Sequence, residues 1–244
     1  LNGIHNRGVK NRCHRYRRKA GDFVKLSSPL QNSSFEIKEG RAFSLVIENK
    51  RLYRTYLENL YFQSSGGDGE LVLSYDNAPV PFERNVCIID AFVPFNINTK
   101  HMLSCISSAA EKKAVDEEHF MQTSKILAEI ESYVYDLCFD FPFSVQCGKL
   151  SAASLIKSLQ LCVADDYSST LEALMSFLEV ITEFDGRKLF VTVNMASYFS
   201  DEEMELFVKS VEQKQLYVLM LDSFETEKPG GVDRLIIDND FCEI

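Results

Sequence analysis

The sequence predicts an α/β protein: a head domain on a mostly parallel sheet, with a helical lobe inserted into it. Three observations carry this reading. The runs "AFSLVIEN", "NVCIIDAF", "KLFVTVN" and "LYVLML" are almost wholly apolar, as strands covered on both faces are. The last two of them bracket an amphipathic helical stretch, which makes a parallel strand–helix–strand unit. Between residues 93 and 147 the strand pattern gives way to helical spacing. With 244 residues, 45% of them apolar, the chain can bury a full core.

From the front, "DFVKLSSPLQ" and "SFEIKEG" read as two strands joined by a Ser/Pro/Asn turn into a hairpin. "AFSLVIEN" follows, and Asn49 is placed to cap a helix. Over residues 50–63, Leu52, Tyr53, Tyr56, Leu57, Leu60 and Tyr61 fall on one helical face. Gly66, Gly67 and Gly69 then stop the helix, and "ELVLSYD" resumes as a strand. This junction contains "ENLYFQS" at 58–64, which matches a site cut by a plant-virus protease used to remove purification tags. An engineered scar would break the helical pattern at Ser64. A phosphate-cradling loop would place the glycines between a strand and the helix after it. Neither holds, so the stretch reads as a helix end, its stop signal and the start of a strand, cleavable where the loop is exposed.

"NVCIIDAF" (85–92) is the next strand. Residues 96–137 read as two helices, the second long, with Phe120, Ile126, Leu127, Ile130, Tyr133, Val134 and Leu137 at helical spacing. Pro142 breaks the chain in "FDFPFSVQ". Helices follow at 151–161 and 168–184, the second apolar nearly all round and so expected to be buried. Ser200 and Glu203 form a capping box ahead of the apolar face Met204, Phe207, Val208 and Val211. "RLIIDNDFCEI" closes the chain with a strand. The expected plan is a disordered basic extension over 1–20, a head over 21–92 and 148–244, and the helical lobe over 93–147.

Residues 1–20 hold seven basic side chains and no acid, so against a total of −10 the remaining 224 residues carry −17. The extension is either a remnant outside the fold or a basic arm for nucleic acid, and an acidic body repels nucleic acid at long range. The seven cysteines are scattered without a CxxC pair, which predicts reduced, buried thiols in a cytoplasmic protein. No run of eighteen apolar residues predicts a membrane span, and no apolar leader predicts secretion.

Nucleotide fingerprints are missing: there is no GxGxxG and no GxxxxGK[ST]. Polar residues do fall at strand ends, namely Asp90, Asn194, Asp222, Asp238 and Asp240. Acids gathered there would bind Mg²⁺ for phosphoryl or nuclease chemistry, although polar residues also commonly begin the loops leaving a sheet. The four histidines show no metal spacing, and no Cys/His pairing or GxSxG elbow stands out. The aromatic residues fall at core spacing and do not interleave with Lys or Arg, so a stacking platform for single strands is not supported.

Six segments in order, "FSLVIENKRLYRTYLENLY", "GGDGELVLS", "VCIIDAFVPFNINTK", "KLFVTVNMASYFSDEE", "LYVLMLDS" and "LIIDNDFCEI", resemble the Csn-two family of CRISPR-associated proteins over roughly residues 22–244. The resemblance implies a head of P-loop-kinase-like topology without a Walker A motif, no bound nucleotide, and a helical leg over 93–147. It implies a non-catalytic ring of four identical subunits that threads the ends of linear double-stranded DNA during spacer acquisition in bacterial type II-A antiviral defence. It also implies bound Ca²⁺, and partners in the integrase and guide-RNA nuclease of the same locus. The family's acid-rich stretch after the leg helices corresponds here to "YDLCFDFPFSVQ", which offers Asp136 and Asp140 for calcium. By placement and charge, and not by a matched motif, Lys100, Lys112, Lys113 and Lys149 are the candidates for DNA, with solvated lysines paired to Glu117 or Glu118 as the competing reading. Two other functions stay open: a Mg²⁺-dependent nuclease or phosphotransferase using Asp222, Asp238 and Asp240, and a pure protein-interaction subunit.

Overall fold

In the computed structural model residues 23–29, 33–164, 166–186 and 189–244 are described, so the basic extension over 1–20 lies outside the described residues. In chain order the elements are β1 (Phe23–Ser28), β2 (Ser33–Lys38), β3 (Ala42–Ile47), α1 (Lys50–Ser64), β4 (Val72–Tyr75), β5 (Ala78–Pro79), α2 (Phe82–Asn85), β6 (Val86–Ile89), α3 (Lys100–Ala114), α4 (Phe120–Leu137), α5 (Ala152–Ser158), α6 (Thr170–Phe184), β7 (Leu189–Val193), α7 (Asp201–Lys214), β8 (Tyr217–Asp222) and β9 (Asp233–Ile237).

The sequence predicts one mostly parallel sheet, and the structure has two. β6, β7, β8, β3 and β9 lie side by side in that order, all parallel, while β2, β1, β4 and β5 make a smaller antiparallel sheet. The division follows from side-chain pattern. β3, β7 and β8 are buried at every position, whereas β1 and β2 alternate and so cover a core with one face only.

Pleating sorts the parallel sheet's side chains to its two faces. Phe190, Val218 and Met220 meet Leu174, Leu178 and Ile181 of α6 and Phe207 and Val211 of α7. On the other face Phe43, Leu45, Val191, Leu219 and Leu221 meet Tyr56 and Leu60 of α1 and Leu26 and Ile37 of the small sheet. The parallel sheet is therefore the middle layer. β7, α7 and β8 form the expected parallel unit, and the Ser200–Glu203 capping box opens α7.

At the end of α1, Gly66 takes φ +88°. Its N–H bonds Gln63 O at 3.1 Å, and the Gly67 N–H bonds Phe62 O at 3.0 Å, a Schellman stop that favours glycine at the left-handed position. Gln63 is buried: its Nε2 donates to Leu71 O at 2.8 Å and its Oε1 accepts from Leu71 N at 3.2 Å. The protease-like motif is thus the last turns of a helix, pinned to the strand that follows. A protease that needs an extended substrate must first open this turn. The expected result is that the native chain stays intact at a protease ratio that cuts the urea-unfolded chain, read from fragment masses. Equal cutting of both forms would contradict the fold at this turn.

The cysteine expectation needs correction. Of the six described cysteines Cys87 alone is buried, and Cys162 and Cys242 are exposed. Apolar neighbours in sequence did not translate into burial because those segments are loops or helix edges.

Candidate functional site

Two regions carry the candidate residues: the helical stretch α3–α4 and the carboxyl edge of the parallel sheet. α3 is seated by its first turns. Thr99 Oγ1 accepts from Met102 N at 3.2 Å, Met102 is fully buried in the core under α6, and Asn98 exchanges two hydrogen bonds with the Val163 backbone at 2.9 and 3.0 Å. Lys100 begins this helix and Lys112 and Lys113 end it, all exposed. Twelve residues of α-helix put Lys100 and Lys112 about 18 Å apart along the axis and about 120° apart around it, so the lysines of one chain do not make a single patch. Lys149 is exposed in the loop beyond α4, where the neighbouring Leu150 N–H donates to Glu131 Oε1 of α4 at 3.1 Å. Among the described residues none of the four lysines is ion-paired; the Glu117 and Glu118 partners of the competing reading are not engaged with them.

α4 is the anomaly of the fold. Not one of its 18 residues is buried. Phe120, Met121, Ile126, Tyr133, Tyr135 and Leu137 are exposed, and Phe139, Phe141 and Phe143 continue the apolar surface beyond its end. Helical periodicity is legible here, but the face it defines is covered only in part: Leu127, Ile130 and Val134 are half-buried, while Ile126, Tyr133 and Leu137 beside them are open.

Asp136 lies in the last turn of α4 and Asp140 in the turn after it, both exposed. Ca²⁺ takes six to eight oxygens, and two carboxylates supply at most four, so within one chain the pair falls short of a complete site.

At the sheet edge the strand-end groups hold one another. Asn194, at φ 51°, accepts from Ser223 N and Ser223 Oγ at 2.9 and 3.0 Å, which ties the ends of β7 and β8. Asp90 accepts from the Tyr61 hydroxyl. Asp238 accepts from Asp240 N and Cys242 N at 2.9 and 2.8 Å, closing the last turn. Only Glu48 and Asn49 separate β3 from α1. Asn49 Oδ1 accepts from Arg51 N and Leu52 N at 3.1 Å each, occupying donors that a phosphate would take.

Asp222 is 4% exposed. Burial pushes its carboxyl up to about 6, against the pull of the Ala196 N–H and the Arg234 guanidinium, and its Oδ1 has no hydrogen-bond partner. Asp222, Asp238 and Asp240 do not converge into a metal-type cluster. Among the described residues that character belongs to His101, Cys105 and Asp185. No metal spacing surrounds the histidines in the sequence. The local signal is His101-x-x-x-Cys105, one helical turn, and it is faint because the third member comes from another helix 80 residues on.

The sequence profile of the family described as CRISPR-associated protein (Cas_Csn2) matches residues 63–241. The solved structure of Stu0660 of Streptococcus thermophilus is similar to this chain at 13% identity and a TM-score of 0.53, over 88% of this chain and 75% of that one, a likeness of fold. A putative ABC transporter ATP-binding protein from Pyrococcus furiosus aligns at 9% identity with a TM-score of 0.39, over 87% of this chain and 96% of that one, too slight a likeness to carry an argument. Among the described residues no helix is long and apolar enough to cross a membrane. With the profile spanning well over half of the chain, this protein belongs to the Cas_Csn2 family of CRISPR-associated proteins of type II systems.

Proposed function

We propose that this chain is a non-catalytic subunit of a homo-oligomeric ring, four subunits in the family's manner, that holds the ends of linear double-stranded DNA during spacer acquisition. The reading is carried by α4, an 18-residue helix with no buried residue, whose apolar side chains are at best half-covered. A second copy is the occupant that family membership favours, and contiguous exposed apolar surface of this kind marks interaction sites. Residues 93–147 then act as the leg and the rest as the head.

Assembly also reconciles acidity with DNA. Lys100, Lys112, Lys113 and Lys149 are scattered in one chain, and a ring multiplies and gathers them around a hole while its exterior stays acidic. Lysines on phosphates release counterions and read no bases, so a few per subunit suffice. Asp136 and Asp140, short of oxygens alone, take the remainder of a Ca²⁺ shell from a neighbouring subunit or water. The subunit works in the cytoplasm, binds no nucleotide, and acts beside the integrase and guide-RNA nuclease of its locus.

The test is a salt series on duplex binding by the parent and by the variant with Lys100, Lys112, Lys113 and Lys149 all changed to Ala. Every phosphate that the variant no longer neutralises lowers the log–log salt slope by about 0.9. The variant's slope should therefore fall by at least that amount while its oligomer mass is unchanged. An unchanged slope removes these lysines from the interface.

A further inference from the structure

His101 and Cys105 stand one turn apart on α3, and Asp185 caps the end of α6. His101 Nε2 lies 3.1 Å from Asp185 Oδ2 and 3.7 Å from Cys105 Sγ, and all three ligand atoms are within 4.8 Å of one another. A tetrahedral ion held at about 2.0 Å by nitrogen and oxygen and about 2.3 Å by sulfur has ligand–ligand edges of roughly 3.3–3.7 Å. The two edges at His101 are therefore close to those of a ligand set drawn around one ion. A His–Asp ion pair and a thiol–imidazole contact one helical turn apart each account for one edge, and a single shared ion accounts for both edges meeting at the same His101 nitrogen.

The donor set selects the metal class. Imidazole, thiolate and carboxylate together suit Zn²⁺ and its neighbours, whereas Ca²⁺ and Mg²⁺ want oxygen alone. The elements are rigid enough to hold such a set: α3 is locked by Met102, and seven residues of α6 are buried. Asp185 is 16% exposed and His101 47%, so the trio is covered on one side and open on the other. The open side is a cleft of about 370 Å³, lined also by Ser104, Ser108, Lys112 and Glu183, which leaves a fourth position for water.

We propose that His101, Cys105 and Asp185 bind one transition-metal ion of the Zn²⁺ class, which fastens α3 to the end of α6. On binding, the Cys105 thiol gives its proton to solvent and its sulfur bonds the ion. No oxidation is involved. The site needs only the fold, and it stands or falls apart from the DNA reading.

The probe is Co²⁺, titrated into the full-length chain after reduction and removal of metals by chelation. One Co²⁺ per chain is expected, with the visible bands of tetrahedral cobalt and a near-ultraviolet thiolate-to-cobalt charge-transfer band. Zn²⁺ should abolish these bands and raise the melting temperature, and Ca²⁺ should do neither. Cys105→Ser should lose the charge-transfer band, while Cys13→Ser keeps it. Asp185→Asn, nearly isosteric and checked for fold by circular dichroism, should weaken binding by more than the roughly 10–100-fold that losing a supporting hydrogen-bond partner costs. Absence of cobalt bands in the parent, their survival in Cys105→Ser, or unchanged affinity in a folded Asp185→Asn would each overturn the site.

Discussion

Replacing Ile126 and Tyr133 by Glu is expected to leave the chain folded and to take its assembly apart. Both side chains are exposed, at 40% and 62%, and lie seven residues apart on the open flank of the apolar face of α4. Glu is a good helix former, so α4 itself should persist. Burying a large apolar side chain contributes about 1.5–3 kcal/mol, and removing two from one interface weakens self-association by roughly 10²–10⁴-fold before the cost of burying two carboxylates is added. Light scattering on the parent should give about four times the 27.8 kDa of one chain, and on the variant about 27.8 kDa, with the circular dichroism of the two superimposable. A parent that is already monomeric at working concentration, or a variant that keeps the parent's mass, would contradict self-assembly through α4.

Asp222→Asn should make the protein more stable, and only away from acid. The folded carboxyl sits at about 6 and the unfolded one near 3.8. The folded state therefore holds the proton more tightly, and the stability this gives is full below about pH 4 and is lost as pH rises through 6. The difference corresponds to about 3 kcal/mol at about 1.36 kcal/mol per pH unit. Asn keeps the shape and cannot ionise, so its advantage over the parent should be near zero at pH 4 and about 3 kcal/mol at pH 7, or roughly 6–12 °C in melting temperature. An advantage that does not change with pH would mean that Asp222 is not the buried, proton-holding group described here. The same variant addresses the nuclease alternative, because a metal-dependent cleavage that used Asp222 would vanish in it.

The strands of the parallel sheet and the helices beside them were largely legible in the sequence because their signals are local. Continuous apolar runs marked β3, β6, β7 and β8, the capping box marked α7, and Asn49 with the glycines after Ser64 bounded α1. The partition into two sheets was hidden in a subtler signal, the alternation of β1 and β2, which turn residues alone do not convey. β5 and α2, of two and four residues, are too short to carry a period. The strand-end polar residues showed in the sequence as a set, but not that Asn194 and Asp238 are spent on turns while Asp222 is buried. α4 marks where periodicity stops being informative: spacing reveals an apolar face and cannot say which molecule covers it.

The ring reading is tested most directly by mobility shifts of linear duplex DNA and closed circles of the same sequence, with Ca²⁺ and with chelator, over a salt series. A closed ring loads at ends, so the linear form alone should shift, less so at higher salt or with chelator, and neither form should be cut. Equal shifts of linear and circular DNA would mean an open groove in place of a hole, and no shift of either at low salt would leave a protein-interaction subunit that does not touch DNA.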